Sequence, residues 1–120
     1  MAQHNELGKR GEELAVAHLL ATGYEIVARN FMYQKAEVDI IARKDNILAV
    51  VEVKTRSTPD FFGDPQDFVK KKQINQLVKA IDYFVNEHNL DVEVRFDIVA
   101  IIKNKAGTRL EHIEDAFLHF

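Results

Sequence analysis

Two stretches of the chain carry apolar residues at the spacing of an α-helix. The first covers residues 6–22, with Asn5 as its predicted N-cap and Gly23 as the residue that ends it. The second starts between residues 65 and 69 and ends near His88, with Asp64 before Pro65 as its predicted N-cap. Its apolar stripe consists of Ile74, Leu77, Val78, Ile81, Phe84 and Val85.

Five other segments have the composition or the alternation of β-strands. They are residues 24–31, 37–43, 47–55, 92–102 and 109–113. Residues 57–66 form a predicted loop, and residues 114–120 a brief helical turn. The order αβββαββ predicts a single domain over residues 1–120, of the α/β or α+β class, with a mixed sheet of about five strands flanked by helices. The second helix is the connection that can carry a parallel crossover.

The turn at Asp45 and Asn46 sets the register of the second and third strands. With a two-residue turn, Lys44 faces Ile47, and the same register places Asp39 opposite Glu52 and Glu37 opposite Lys54. The neighbouring positions on that face are Ile41, Leu48 and Val50.

Directly opposed like charges destabilise a sheet, so the Asp39–Glu52 pair needs an explanation. A divalent cation between the two carboxylates or a raised pKa would resolve the conflict. The alternative is a solvated sheet face with a cross-strand ion pair between Glu37 and Lys54. The spacing leaves both interpretations open.

Composition restricts the class of protein and of metal. There is no cysteine, which excludes disulfides and thiolate metal sites and favours the cytoplasm. Oxygen ligands favour magnesium, calcium or manganese. No apolar run is long enough to cross a bilayer, and the first residues do not form a signal peptide.

The formal net charge of −3 argues against a protein that coats nucleic acid through bulk charge, but basic residues are clustered locally. A solvated helix face would explain the lysines equally well. The clustered residues are Lys9, Arg10, Lys54, Arg56, Lys70, Lys71, Lys72 and Lys79.

Two carboxylates followed closely by a lysine suit phosphodiester hydrolysis. Asp39 and Glu52 would hold Mg²⁺, and Lys54 would position a water or stabilise charge on the phosphate. Glu12 would supply a third carboxylate if the first helix packs beside this end of the sheet; otherwise it is an exposed helix residue.

The spacing of Asp39 and Glu52-Val53-Lys54 resembles the PD-(D/E)XK nuclease signature, although Val38 replaces the proline that sometimes precedes the aspartate. A wider pattern resembles the YraN-like family of bacterial proteins, regarded as distantly similar to archaeal Holliday-junction resolvases. The residues that carry this resemblance are Gly8-Lys9-Arg10-Gly11-Glu12, Gly23-Tyr24, Asn30, Glu37-Val38-Asp39-Ile40-Ile41-Ala42, Val51-Glu52-Val53-Lys54-Thr55-Arg56, Phe62-Gly63, Lys72 and Arg95-Phe96-Asp97.

The resemblance implies a restriction-endonuclease-like fold and assigns roles to several residues. It makes Asp39, Glu52 and Glu12 metal ligands and Lys54 the catalytic lysine, with Glu37 as an accessory residue. Ala36 replaces the glycine of the family motif before Glu37. The residues expected to contact nucleic acid are Lys72, Arg56, Lys9, Arg10 and Lys71. For Asp97 we predict a structural role, paired with Arg95 or Arg56.

The leading hypothesis is an Mg²⁺-dependent endonuclease, with Mn²⁺ as a substitute, that acts on DNA and in particular on branched or damaged structures. A symmetric homodimer is expected, because cutting both strands needs two sites. One alternative is a nucleic-acid-binding module that kept the fold without turnover, and another is an interaction protein with an acidic sheet end. The sequence does not distinguish DNA from RNA.

Overall fold

Helices and strands follow one another in the predicted order αβββαββ. The structure is a computed structural model that describes residues 6–58 and 70–116 of the 120. The elements are α1 (Glu6–Ala21), β1 (Glu25–Tyr33), β2 (Ala36–Lys44), β3 (Ile47–Arg56), α2 (Lys71–Glu87), β4 (Glu93–Asn104) and β5 (Gly107–Ile113). The predicted fold class is therefore confirmed.

The five strands form one mixed sheet in the order β1-β2-β3-β4-β5. β3 and β4 are parallel, and the other neighbouring pairs are antiparallel. The connection that contains α2 makes the parallel crossover, as predicted, because parallel strands need a long connection between them.

Each helix covers its own apolar cluster. Ile74, Leu77 and Phe84 of α2 pack with Phe96 and Ile98 of β4 and with residues of β2 and β3. The second cluster joins α1 to the sheet and consists of Ala15, Leu19, Tyr24, Ile40, Ala42, Ala49, Val51, Val99 and Ile101. Both sides of the central strands are thus buried, which explains why β3 and β4 are almost uninterrupted apolar runs.

The β2–β3 hairpin has the predicted two-residue turn. Lys44 pairs with Ile47, and the same register continues to Ile40 and Val51. The paired ladder ends there, so the direct oppositions predicted for Asp39 with Glu52 and for Glu37 with Lys54 are not ladder pairs. β3 continues to Arg56 by pairing with β4 instead.

Element ends differ from the predictions by a few residues. α2 begins at Lys71, later than predicted, because Lys70 is in an extended conformation with ψ 156°. Residues 114–115 form a turn in which Asp115 has a φ of 51°, and no helical turn is present in the described part of that tail. Asn5, Asp64, residues 59–66 of the predicted loop and residues 117–120 lie outside the described residues. Within the described ranges, neither helix is long and apolar enough to span a membrane.

Asp97 on β4 is fully buried and has several partners, which we call the Asp97 network. Arg95 donates to both carboxylate oxygens at 2.8 and 2.9 Å, and His112 Nε2 donates at 2.8 Å. Arg95 also donates to the Tyr24 hydroxyl, and His112 Nδ1 lies 3.2 Å from Nε2 of His18 on α1. The predicted Arg95–Asp97 pair is confirmed, and its network ties α1 to β4 and β5.

Candidate active site

Glu52 is a buried carboxyl group with an unsatisfied oxygen. Its residue is 4% exposed, and it lies on β3 opposite Ile98 of the parallel strand β4. Oε2 has no hydrogen-bond partner among the described residues. Buried polar atoms nearly always have partners, so this oxygen marks a position suited to a ligand.

Asp39 lies where β2 separates from β3. Its Oδ2 accepts a hydrogen bond of 2.8 Å from the Val53 amide, the residue after Glu52. The Asp39 carboxylate thereby replaces the backbone carbonyl that would accept this hydrogen bond if the β2–β3 ladder continued. This bond anchors Asp39 to the strand that carries Glu52 and Lys54.

Both carboxyl groups have raised pKa values. Burial, together with the negative charge of Asp39, raises the pKa of Glu52 well above its ordinary value. Burial also raises the pKa of Asp39 to about 6, although the Val53 hydrogen bond opposes the shift. The structure thus holds two acids in a state that a bound cation would relieve.

Lys54, Glu37 and Glu12 act electrostatically on the same pair. After the dominant effect of burial, Glu12 and Glu37 raise the pKa of both Asp39 and Glu52, and Lys54 lowers it. The four residues predicted to carry the chemistry, and the accessory Glu37, are therefore gathered in one region. Their proximity does not require the predicted ladder pairing.

Glu12 is positioned by two residues whose roles the sequence did not indicate. Asn30 Nδ2 donates to Glu12 Oε1 at 3.4 Å, and Arg29 Nη2 lies 4.0 Å from the same oxygen. The Glu12 side chain is only 16% exposed, so it is not the ordinary surface residue of the alternative interpretation. Arg29 also forms a 3.1 Å ion pair with Glu13.

The backbone is irregular in β2 near Asp39 and in β1 at Asn30, the residue that binds Glu12. Val38 and Ile41 both pack in the α2-side cluster, whereas Ile40 packs on the α1 side, so the alternation fails near Asp39. In β1, Asn30 has a φ of 52°, a conformation that asparagine tolerates better than most residues. An asparagine inside a predicted strand was the available signal for this irregularity.

The approach of α1 to the sheet is set by Gly11. A Cβ atom at this position would lie 1.9 Å from Oγ1 and 2.9 Å from Cβ of Thr55, the residue after Lys54. Only glycine allows this distance, and the next residue of the helix is Glu12. The contact thus fixes the height of Glu12 above the sheet.

We expect Gly11→Ala to lower the free energy of unfolding by about 1–3 kcal/mol, although alanine favours helices, because the added methyl group overpacks the contact with Thr55. The double variant Gly11→Ala/Thr55→Ala removes the Thr55 hydroxyl, the closest clashing group, together with its methyl group, and should recover part of the loss. Urea unfolding of the three proteins measures both effects. An increase in stability for Gly11→Ala alone would contradict the close contact.

The residues predicted to contact nucleic acid are all exposed. They are Lys9, Arg10, Arg56, Lys71 and Lys72. Arg10 forms a 3.7 Å helical ion pair with Glu6, and Arg56 donates to the Thr55 carbonyl. None of the five is among the groups that shift the pKa of Asp39 or Glu52.

The donor set fits a hard cation held by few protein ligands. No group of three or more histidine, aspartate or glutamate side chains in residues 6–58 and 70–116 is arranged as a metal cage. Mg²⁺ needs only one or two carboxylates and keeps several waters. The carboxylate of Asp39 and Oε2 of Glu52, which has no partner in the part of the chain that the structure describes, meet that requirement, whereas Glu12 already accepts a hydrogen bond from Asn30.

Comparisons with known proteins give a consistent family assignment. A protein from Christiangramia forsetii is 68% identical over the whole length of both chains, and one from Flavobacterium psychrophilum is 56% identical over the same extent. A Parabacteroides distasonis protein is 47% identical over 98% of this chain and 96% of its own. All three are named as UPF0102 proteins, and the model of "Uncharacterised protein family UPF0102" matches residues 11–101. The chain therefore belongs to the UPF0102 family, the YraN-like family that its motifs resemble.

Proposed function

We propose that this protein is a divalent-metal-dependent endonuclease with a restriction-endonuclease-like fold, which hydrolyses phosphodiester bonds in DNA. The observation that carries the proposal is the buried Oε2 of Glu52, which has no partner among the described residues, together with the anchored carboxylate of Asp39 and with Lys54 two residues further along β3. The PD-(D/E)XK-like spacing of these residues supports it.

Each residue of the site would have a separate role in the reaction. Asp39 and Glu52 would hold Mg²⁺ or Mn²⁺, and the bound cation would supply Lewis-acid activation of the phosphodiester and of a water. Lys54, whose charge already acts on both carboxyl groups, would offset the negative charge that develops on the phosphate. Glu12, held by Asn30, would orient the attacking water.

The test is cleavage of labelled linear, flapped and four-way-junction DNA with Mg²⁺, with Mn²⁺ and with EDTA. We expect cleavage by the wild type only with a metal, and a loss of at least about 100-fold in Asp39→Asn, Glu52→Gln and Lys54→Ala. Asp39→Asn keeps an oxygen for the Val53 amide, so its loss of activity would not reflect a broken strand.

Lys103→Ala, a change on β4, is the matched control for Lys54→Ala and should leave the rate unchanged. Wild-type rates in purified Asp39→Asn would refute the assignment. Salt-dependent DNA binding with no cleavage of any substrate would instead favour the non-catalytic binding module.

A further inference from the structure

A small pocket lies between the β1–β2 turn and α2, and the site described above does not use it. Its volume is about 220 Å³. The residues that line it are Tyr33, Gln34, Lys35, Ala36, Gln76 and Lys79. Sites for drug-sized ligands measure roughly 300–1,000 Å³, so this pocket has room for part of one nucleotide and is too small for a duplex.

The lining is cationic in a chain that is acidic overall. Lys35 and Lys79 bring two positive charges, and none of the acidic residues in the described ranges lines the pocket, although the formal net charge of the chain is −3. Gln34 and Gln76 add amide groups that can both donate and accept hydrogen bonds. This combination suits a ligand with a phosphate and a polar edge.

An aromatic wall completes the pocket. The Tyr33 ring is stacked on Tyr83 of α2, with ring centroids 4.5 Å apart and an interplanar angle of 23°. Gln34 Nε2 donates to the Tyr33 hydroxyl at 3.3 Å. With one ring face on Tyr83, Tyr33 is held in place before any ligand arrives, and a base would contact the part of the ring that lines the pocket.

Polar residues of α2 continue the pocket along the helix. Lys72, Gln76, Lys79 and Tyr83 recur at intervals of four, three and four residues, so they lie on one face of α2. Gln76 and Lys79 line the pocket and Tyr83 supports its wall, so this stripe faces the β1–β2 turn. Lys72 extends the cationic surface towards the start of the helix.

The pocket and the carboxylate site at Asp39 and Glu52 are close together along β2. Ala36 immediately precedes Glu37 and stands three residues before Asp39 on β2, which is about 10 Å along a strand. A nucleic-acid strand that reaches Asp39 and Glu52 can therefore place a nearby nucleotide at the pocket.

We propose that this pocket binds one unpaired nucleotide of the substrate, with the base against Tyr33 and a phosphate between Lys35 and Lys79. The inference rests on the proposed function, because the bound strand is taken to be the nuclease substrate. It specifies that substrate as nucleic acid with a single-stranded segment next to the cleaved bond. A base stacked on tyrosine is recognised by its π-face, so the pocket needs no particular sequence.

The test measures binding in EDTA, so that cleavage plays no part. The probes are a labelled short oligothymidylate and a labelled blunt-ended hairpin duplex, and anisotropy is followed over a range of salt concentrations. Lys35→Ala/Lys79→Ala should weaken oligothymidylate binding by about tenfold at low salt and reduce the salt slope by about 1. Tyr33→Leu should weaken it at least about fivefold, whereas Tyr33→Phe, which keeps the ring, should bind as the wild type does.

Lys103→Ala/Lys105→Ala, which removes the same charge near the β4–β5 turn, is the matched control and should leave binding unchanged. Three results would refute nucleotide binding at the pocket. The pocket variants could lose as much affinity for the duplex as for the single strand, or the control could lose as much as they do. The wild type could also fail to bind oligothymidylate.

The outcomes separate this inference from the proposed function. If Tyr33→Leu binds oligothymidylate as the wild type does, and the protein still cuts DNA through Asp39, nucleotide binding at the pocket is refuted and the proposed nuclease activity is not. Selective loss of single-strand binding in a protein that cuts nothing would support the pocket and refute the nuclease.

Discussion

Replacing Asp97 with alanine is expected to lower the free energy of unfolding by about 3–5 kcal/mol. Asp97 is 0% exposed, and the Arg95 and His112 side chains are only 20% and 10% exposed, so water can replace their lost acceptor only in part. The substitution leaves the Arg95 guanidinium, the His112 ring and the Asp115 amide without their shared acceptor. Breaking a buried ion pair from one side is costly because the remaining charge stays desolvated.

The pKa of Asp97 indicates that the network favours the ionised form. Burial would raise this pKa, but the hydrogen bonds from His112, Arg95 and the Asp115 amide outweigh burial and lower it. A lowered carboxyl pKa contributes stability that is present above the ordinary pKa and is lost as the pH falls through the folded-state value. The Asp97→Ala deficit should therefore be largest at neutral pH.

Urea unfolding of the Asp97→Ala protein at neutral pH measures this loss. Glu114→Ala is the matched control, because Glu114 is the other carboxylate near Arg95, at 3.6 Å, but its side chain is 59% exposed. An exposed pair of this kind contributes about 0–1 kcal/mol. A loss below 1 kcal/mol for Asp97→Ala would mean that the network does not hold α1 against β4 and β5.

Turn residues and the spacing of apolar residues were sufficient to predict most of the fold. Asp45-Asn46 indicated the two-residue turn, and that turn fixed the register from Lys44–Ile47 to Ile40–Val51. The spacing of Ile74, Leu77, Ile81 and Phe84 identified the buried face of α2. These features depend on residues a few positions apart, where the periods of strand and helix are reliable.

The candidate site was only partly predictable, because its geometry comes from tertiary contacts. The register set by the two-residue turn predicted Asp39 opposite Glu52, but the strands separate there and Asp39 accepts a hydrogen bond from the Val53 amide instead. The place of Glu12 depends on the Gly11–Thr55 approach and on the irregular backbone at Asn30. Helix spacing carries no information about which strand a helix will meet.

The cost of placing two buried acids together should be measurable without any substrate. At neutral pH and in EDTA, we expect Asp39→Asn to raise the free energy of unfolding by about 1–3 kcal/mol relative to the wild type. Burial raises the pKa of Asp39 from 3.8 to about 6, and Glu12 and Glu37 add to that shift. Asparagine keeps an acceptor for the Val53 amide while removing the charge that also acts on Glu52.

The sign of the pH dependence follows from this raised pKa. Between pH 3.8 and about 6 the folded state keeps a proton on Asp39 that the unfolded state has lost. The unfolded state therefore binds fewer protons, and stability decreases as the pH rises through this range. His18, whose pKa is lowered by burial and by His112, has the opposite effect below pH 6.5, so the difference between wild type and Asp39→Asn isolates the aspartate.

The measurement is urea unfolding of both proteins from pH 4 to pH 8, first in EDTA and then with Mg²⁺ or Mn²⁺. The stability gap should appear as the pH passes the range set by the shift from 3.8 to about 6. Saturating cation should then stabilise the wild type, by about 2.7 kcal/mol at a hundred times the dissociation constant, and should leave Asp39→Asn nearly unchanged. Asp82→Asn, the same change at an exposed position of α2, should follow the wild type in every condition. A wild type that is more stable than Asp39→Asn throughout in EDTA would show that the two acids do not repel, and the strongest physical reason for a cation at Asp39 and Glu52 would be lost.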